Sequence, residues 1–240
     1  MKNVYLIADV PFLIEYKSLN TELLLNDYLC NLEPLHTLNL PTESEIKFEC
    51  KMATTTDYNK VENVAILRKI STILLKFHNT ILFHSSAISY NGFAYLFTAP
   101  SGTGKSTHVN NLISALNSEI EIINDDKPFV KITDNSIYVY GSPWCGKHNL
   151  GSNIKRELKS IIFLSRSSEN KVRKLDGNLV IKPLLKQCFM LDNKSELSTL
   201  LILVSKLINK ASFYGLGCTK EPGSALVTIN EIFKGDINEN

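Results

Sequence analysis

Apolar residues change rhythm several times along this 240-residue chain. Short clustered or alternating runs at 4–8, 12–16 and 46–50, separated by polar stretches, read as strands. After the polar stretch 54–60 the period lengthens. Ile66, Ile70, Ile73 and Phe77 recur at helical spacing within 59–78. A boundary near residue 56 follows, with a small β-rich region at 1–56 and a larger domain at 57–240. Residues 81–89 read as a strand, Tyr90-Asn91-Gly92 as a turn and 93–98 as an apolar strand. A loop at 99–106 leads into a helix over 105–117, with Val109, Leu112, Ile113 and Leu116 on one face. Residues 119–123 read as a strand, Ile132 and 137–140 as a hairpin about Asp134-Asn135, and 161–164 as a further strand. An apolar stripe from Leu197 to Ala211 predicts a helix, 213–218 a strand, and Pro222 the first turn of a last helix facing inward with Ala225, Ile229, Ile232 and Phe233. The expected fold is α/β, a mixed sheet flanked by helices.

Composition narrows the function classes. Hydrophobic residues make up 44% and charged residues 21%, which excludes disorder over most of the chain. The net charge of +2 gives no field that argues for nucleic acid or an anionic membrane. The most apolar stretch, 197–208, is broken by Ser198, Ser205 and Lys206 and is shorter than the ~20 residues a bilayer requires. Asp9 interrupts the N-terminal apolar run and no small-residue cleavage site follows it. Five cysteines, odd in number and without a C-x-x-C pair, argue against a disulfide framework or zinc site. The expected setting is a reducing cytoplasm.

The chemistry concentrates between residues 81 and 150. Ala99-Pro-Ser101-Gly102-Thr103-Gly104-Lys105-Ser106 matches a phosphate-binding P-loop at every defined position but the first, where alanine replaces glycine. Gly102 and Gly104 let the backbone turn so that several N–H groups face one phosphate, and the helix N-terminus adds its positive dipole end. Ser101, Gly102, Thr103, Gly104, Lys105, Ser106 and Thr107 are therefore the expected ATP-binding residues. Lys105 reaches the β/γ-phosphates, and the Ser106 hydroxyl is a Mg²⁺ ligand. Pairing Tyr90 with Phe93 across the turn sets His84 opposite Ala99, at the mouth of that loop. The expected strand before Asp125 and Asp126 runs parallel to the P-loop strand, so both carboxylates open on the same edge. One suits Mg²⁺ and the other suits accepting a hydroxyl proton; the sequence leaves open which does which. The segment 141–149 reads as a loop over the site, with Trp144 and Lys147 as substrate or phosphate contacts. Lys155, Arg156 and Lys159 behind it form either a contact for an acidic partner or a solvated helix face.

His84, Gly92 before an apolar strand, the 101–106 loop and Asp125-Asp126 together resemble the HPr kinase/phosphorylase family and the related P-loop fold of ATP-dependent phosphoenolpyruvate carboxykinases. Residues 83–88 and 141–147 also look like segments of smaller HPr-kinase-like proteins encoded beside biosynthetic clusters for modified peptides, including kinases of lasso-peptide precursors. The resemblance covers about 81–150. It implies catalysis by the histidine and one aspartate, with the other on Mg²⁺. The Arg-Pro-Gly-Arg-Asn segment of HPr kinases is absent; Lys220-Glu-Pro-Gly223 is a faint echo of it. The expected activity is ATP- and Mg²⁺-dependent transfer of phosphate to a hydroxyl of a peptide or protein, serine first. The rival readings are a small-molecule kinase on the same fold, a non-catalytic ATP-binding sensor, and an interaction protein with an incidental glycine loop. The sequence leaves open whether the chain forms a homo-oligomer.

Overall fold

The structure, a computed structural model, describes residues 1–189 and 194–235. It divides into two compact units, Met1–His78 and Asn79–Asn240.

In the first unit, β1 (Lys2–Ile7) and β2 (Val10–Glu15) pair antiparallel, and β3 (His36–Leu38) adds parallel to β2. Alternation along β2 buries Val10, Phe12 and Ile14 on one face. Three helices complete the unit: α1 (Leu19–Leu25), α2 (Glu43–Ala53) and α3 (Tyr58–His78). The run 46–50, expected as a strand, lies inside α2. Thr42 and Glu45 form a reciprocal capping box, and Glu43 and Glu45 place negative charge in the first turn. Those end signals outweigh a short alternating pattern. Arg68 of α3 pairs with the buried Glu49 of α2. The Glu62 carboxylate, also buried, accepts from Lys17 N, Ser18 N and Thr21 Oγ1, which satisfies a charge that burial would otherwise penalise. The sequence boundary at 56 falls before α3; the division between the units falls after it.

The second unit is a mixed nine-stranded sheet with helices packed against it. Its strands are β4 (Thr80–Leu82), β5 (Ser86–Tyr90), β6 (Phe93–Thr98), β7 (Ile120–Asn124), β8 (Phe129–Ile132), β9 (Ile137–Tyr140), β10 (Lys155–Arg166), β11 (Lys171–Lys174) and β12 (Ser212–Cys218). The order is β4-β8-β9-β10-β6-β5-β7, with β12 beside β10 and β11 beside β12. The expected single strand over 81–89 is two strands. Phe83 and Ser85 turn their N–H groups to Pro128 and Asp126 of the β7–β8 connection, and His84 turns its own to Gln187, and so they leave the ladder. The basic residues after the 141–149 loop are neither a helix face nor a free patch. They lie in β10, where Lys155 covers the Tyr138 and Tyr140 rings, Arg156 bonds Glu121 at 2.9 Å and Lys159 covers Phe93.

The helices are α4 (Lys105–Leu116), α5 (Gly177–Gln187), α6 (Lys194–Ile208) and α7 (Gly223–Val227), the last continuing as a π-helical segment Thr228–Phe233. Helix α5 carries Pro183, which masks it in a periodicity reading. One core gathers Tyr95 and Phe97 of β6, Val109 and Leu112 of α4, Leu216 of β12 and Phe233. The Phe233 ring lies 4.8 Å from Tyr90 and 4.4 Å from Tyr95, centroid to centroid. His108 ties α4 to the C-terminal helices, with Nδ1 3.2 Å from Ser224 Oγ and Nε2 3.1 Å from Thr228 Oγ1. Burial pushes this imidazole down to about 4, so it is neutral at pH 7. Among the described residues, no helix is long and apolar enough to cross a membrane. The five cysteines are free thiols.

Candidate active site

β6, β7, β10 and β12 run in one direction, so their C-terminal ends share an edge of the sheet. β7 is not the neighbour of β6 that a simple βαβ unit gives. β5 lies between them, antiparallel to both, and brings its N-terminal end to the same edge. Open sheets place ligands at such an edge.

The loop after β6 supplies the first part of the site. Gly102 (φ 75°) and Gly104 (φ 121°) adopt positive φ, and nothing lies within 4 Å of where a Cβ would sit on either. The loop therefore has an open face that side chains would fill. Thr103 folds back on Pro100 through its N–H (3.2 Å) and its hydroxyl (2.7 Å). Lys105 spans the loop and donates to the Ala99 carbonyl at 3.1 Å. Burial lowers its pKa, and the negative charge of Asp126 partly opposes that shift. Ser101, Ser106 and Thr107 are exposed at the helix start. A pocket of about 370 Å³ runs along Gly102, Gly104 and Thr107 to Thr219 and Lys220, within the size range of small-ligand sites.

The hairpin register is the one read from the turn. Tyr90 pairs with Phe93 and Ser86 with Phe97, and Thr98 Oγ1 donates to the His84 carbonyl at 3.0 Å. His84 thus stands at the start of the loop. Its Nε2 lies 3.3 Å from Asp126 Oδ1, and Lys127 pairs with the other Asp126 oxygen. The hydrogen bond from His84, then the Lys127 ammonium, hold the Asp126 carboxyl well below the usual carboxylate range, against the opposing effect of burial.

Asp125 points to a different partner. Its carboxylate accepts the Gly146 N–H, and its own N–H bonds Leu150 O at 3.0 Å. The 141–149 loop is therefore fixed on Asp125. Asn124, fully buried, holds both sides together: Oδ1 accepts from Asp126 N at 2.8 Å, and Nδ2 donates to Ser142 O at 3.0 Å. Trp144 is buried edge-on to Phe129, so it anchors the loop from beneath. Lys147 is exposed one residue beyond Gly146. The Cys145 thiol is pushed up to about 11 by burial and then by the two aspartates, which makes it a poor nucleophile.

Sequence reading missed three residues here. Arg166, at the end of β10, donates to the Gly102 carbonyl at 2.6 Å and braces the loop. Asn124 and Lys127 flank the paired aspartates; their position next to that pair was the available signal. Among the described residues, no group of three or more His, Cys, Asp or Glu side chains is arranged to hold a metal ion. The hydroxyl of Ser106 with Asp125 or Asp126 still suits Mg²⁺, which commonly takes one or two carboxylates and completes its shell with phosphate oxygens and water.

No protein-family model matches the chain, and no curated protein matches it. Among solved structures, the HPr(Ser) kinase/phosphatase from Coxiella burnetii is similar over 52% of this chain and 96% of its own, at 15% identity and a TM-score of 0.30.

Proposed function

We propose that this protein is an ATP- and Mg²⁺-dependent kinase, HPr kinase-like, that transfers the γ-phosphate to a hydroxyl of a peptide or protein, serine first. The observation that carries the reading is the His84–Asp126 contact of 3.3 Å beside a loop of P-loop sequence ending in Lys105. A phosphate cradle alone fits any nucleotide-binding module. A carboxylate–imidazole pair at its mouth is what transfer to a hydroxyl adds.

In this scheme the loop N–H groups and Lys105 hold the phosphates, and the pocket from Thr107 to Lys220 takes the nucleoside. Ser106 with Asp125 would hold Mg²⁺, which would neutralise phosphate charge. The acceptor oxygen forms its bond to the γ-phosphorus as the bond to the β,γ-bridging oxygen breaks and ADP leaves. The hydroxyl proton passes to Asp126, which His84 orients. The low basicity of Asp126 is tolerable because a loose phosphoryl-transfer transition state loses the acceptor proton late. Lys147 contacts an incoming phosphate or substrate in this scheme. Five free cysteines suit a reducing cytoplasm.

Thermal melting with and without ATP-Mg²⁺ tests the nucleotide half. The wild type is expected to melt higher with ligand and Lys105→Ala to show no shift. Equal shifts in both proteins would contradict the assignment of Lys105.

A further inference from the structure

A second, larger cavity of about 880 Å³ begins where the glycine-rich loop begins, at Thr98, Ala99 and Pro100. Its floor is a sheet face with the middle side chains missing. Strand β12 alternates, so Tyr214, Leu216 and Cys218 enter the core while Gly215 and Gly217 line the cavity. Gly215 pairs with Phe163 on one side and Arg173 on the other; Gly217 pairs with Ser165 and Lys171. The two glycines in register lower the floor of a trough between β10 and β11, with the Arg173 side chain lying over Gly215 and Ser167 over Gly217. Helix α5 forms the opposite wall with Leu179, Lys182, Pro183 and Lys186, at i, i+3, i+4 and i+7 of one face.

The lining has one sign of charge. Lys171, Arg173, Lys182 and Lys186 contribute to it, Arg166 stands at the loop end, and no Asp or Glu does. Among the described residues, none of the first four has a carboxylate partner. Beside them Leu179 leaves 69% of its surface exposed. The Gln187 side-chain oxygen is buried without a hydrogen-bond partner in the same wall. Its backbone carbonyl, in turn, holds the His84 N–H at 2.8 Å. Unpaired cations ask for carboxylates, an exposed leucine asks for apolar side chains, and a buried amide oxygen asks for an N–H donor.

We infer that this trough docks an acidic peptide segment bearing apolar side chains, and that it delivers the segment to His84 and Asp126. The second part rests on the phosphotransfer reading; the docking does not. An inorganic anion would meet the charge and leave Leu179 and Gln187 unmet. The volume lies in the upper part of the range for ligand pockets, which suits several residues of extended chain.

The test uses the full chain and two fluorescent peptides, one alternating glutamate with leucine about a single serine and one with lysine in place of glutamate. Fluorescence anisotropy at low ionic strength should show binding of the acidic peptide alone, weakening as salt rises. Lys171→Glu/Arg173→Glu and, separately, Lys182→Glu/Lys186→Glu should each weaken it by about tenfold or more. Gly215→Val, which displaces the Arg173 side chain packed over that glycine, should weaken it without reversing any charge. The melting shift given by ATP-Mg²⁺ should persist in all of these variants. Equal binding of the two peptides, or acidic-peptide binding indifferent to both charge reversals, would overturn the proposal. So would citrate or inorganic phosphate binding with this residue dependence while the acidic peptide does not bind. A trough that binds the acidic peptide in a protein that does not respond to ATP would uphold the docking and remove the kinase reading instead.

Discussion

His84, between β4 and β5, and Asp126, just after β7, meet with Nε2 3.3 Å from Oδ1. Their neighbours fix the contact: Ser85 N bonds Asp126 O at 3.1 Å, so the start of β5 and the end of β7 are stitched together beside the pair. The hydrogen bond from His84 is the largest influence holding the Asp126 carboxyl low. His84→Gln should therefore raise the Asp126 titration midpoint toward the ordinary carboxylate range, as read by carbon-detected NMR. The sign follows for stability. A depressed carboxyl contributes stability above its unfolded pKa of about 3.9, and that contribution is lost as pH falls. The variant should lose less stability on acidification than the wild type. An unmoved midpoint would mean that Lys127 alone sets it. In activity, His84→Ala should lower transfer by about 10²–10⁴-fold if the imidazole assists proton transfer.

Asn124 is expected to be the most damaging single truncation near the site. It is fully buried, accepts from the backbone N–H groups of Asp126 and Lys127, and donates to the Ser142 carbonyl in the facing loop. Asn124→Ala leaves those groups unpaired, at a cost of about 1–3 kcal/mol each where water does not replace the bond. Denaturant unfolding should show a loss in that range or above, together with reduced transfer. A loss within experimental error would show that the loop is held by Trp144 and Asp125 instead.

Gly146→Ala separates position from stability. A Cβ there would lie 3.1 Å from Asp125 Oδ2 and 3.2 Å from Asp126 Cβ. The glycine is not in a positive-φ conformation, so the backbone tolerates alanine. The Asp125 carboxylate and the Asp126 side chain at its Cβ must give by a few tenths of an ångström. Transfer is expected to fall with little change in melting temperature, and a variant of wild-type activity would show that the aspartates need no such placement.

His108 predicts a pH dependence unrelated to catalysis. Its folded pKa of about 4 lies below the ordinary imidazole value of 6.5, so the unfolded chain binds more protons between those values. Stability from this residue is complete above pH 6.5 and declines as pH falls toward 4. The slope of unfolding free energy against pH over that window should flatten in His108→Gln. Retention of the full slope would assign it to other groups.

The candidate site was legible in the sequence to an uneven degree. The Asn91-Gly92 turn determined the register that puts His84 at the loop, because a two-residue turn leaves one pairing. The glycine loop and the aspartate pair were local patterns and needed no topology. The insertion of β5 between β6 and β7 was not legible, since strand order depends on pairings between distant segments. Residues 46–50 were misread because Ile-Lys-Phe-Glu-Cys alternates as a strand does over too short a window, and the Thr42 cap that decides it lies outside the run. Arg166 and the Gly215/Gly217 trough were missed for a third reason. A strand-end arginine and alternate glycines acquire meaning only when β10, β12 and β11 are laid side by side.

The most direct measurement incubates γ-labelled ATP and Mg²⁺ with the protein, an acidic serine peptide and the same peptide with alanine for serine, with Asp126→Asn in parallel. The account predicts label in the serine peptide only, with the wild type only, at matched folding of the two proteins. Label that stays in ATP or leaves as free phosphate with the wild type, or an Asp126→Asn variant as active as the wild type, would contradict it.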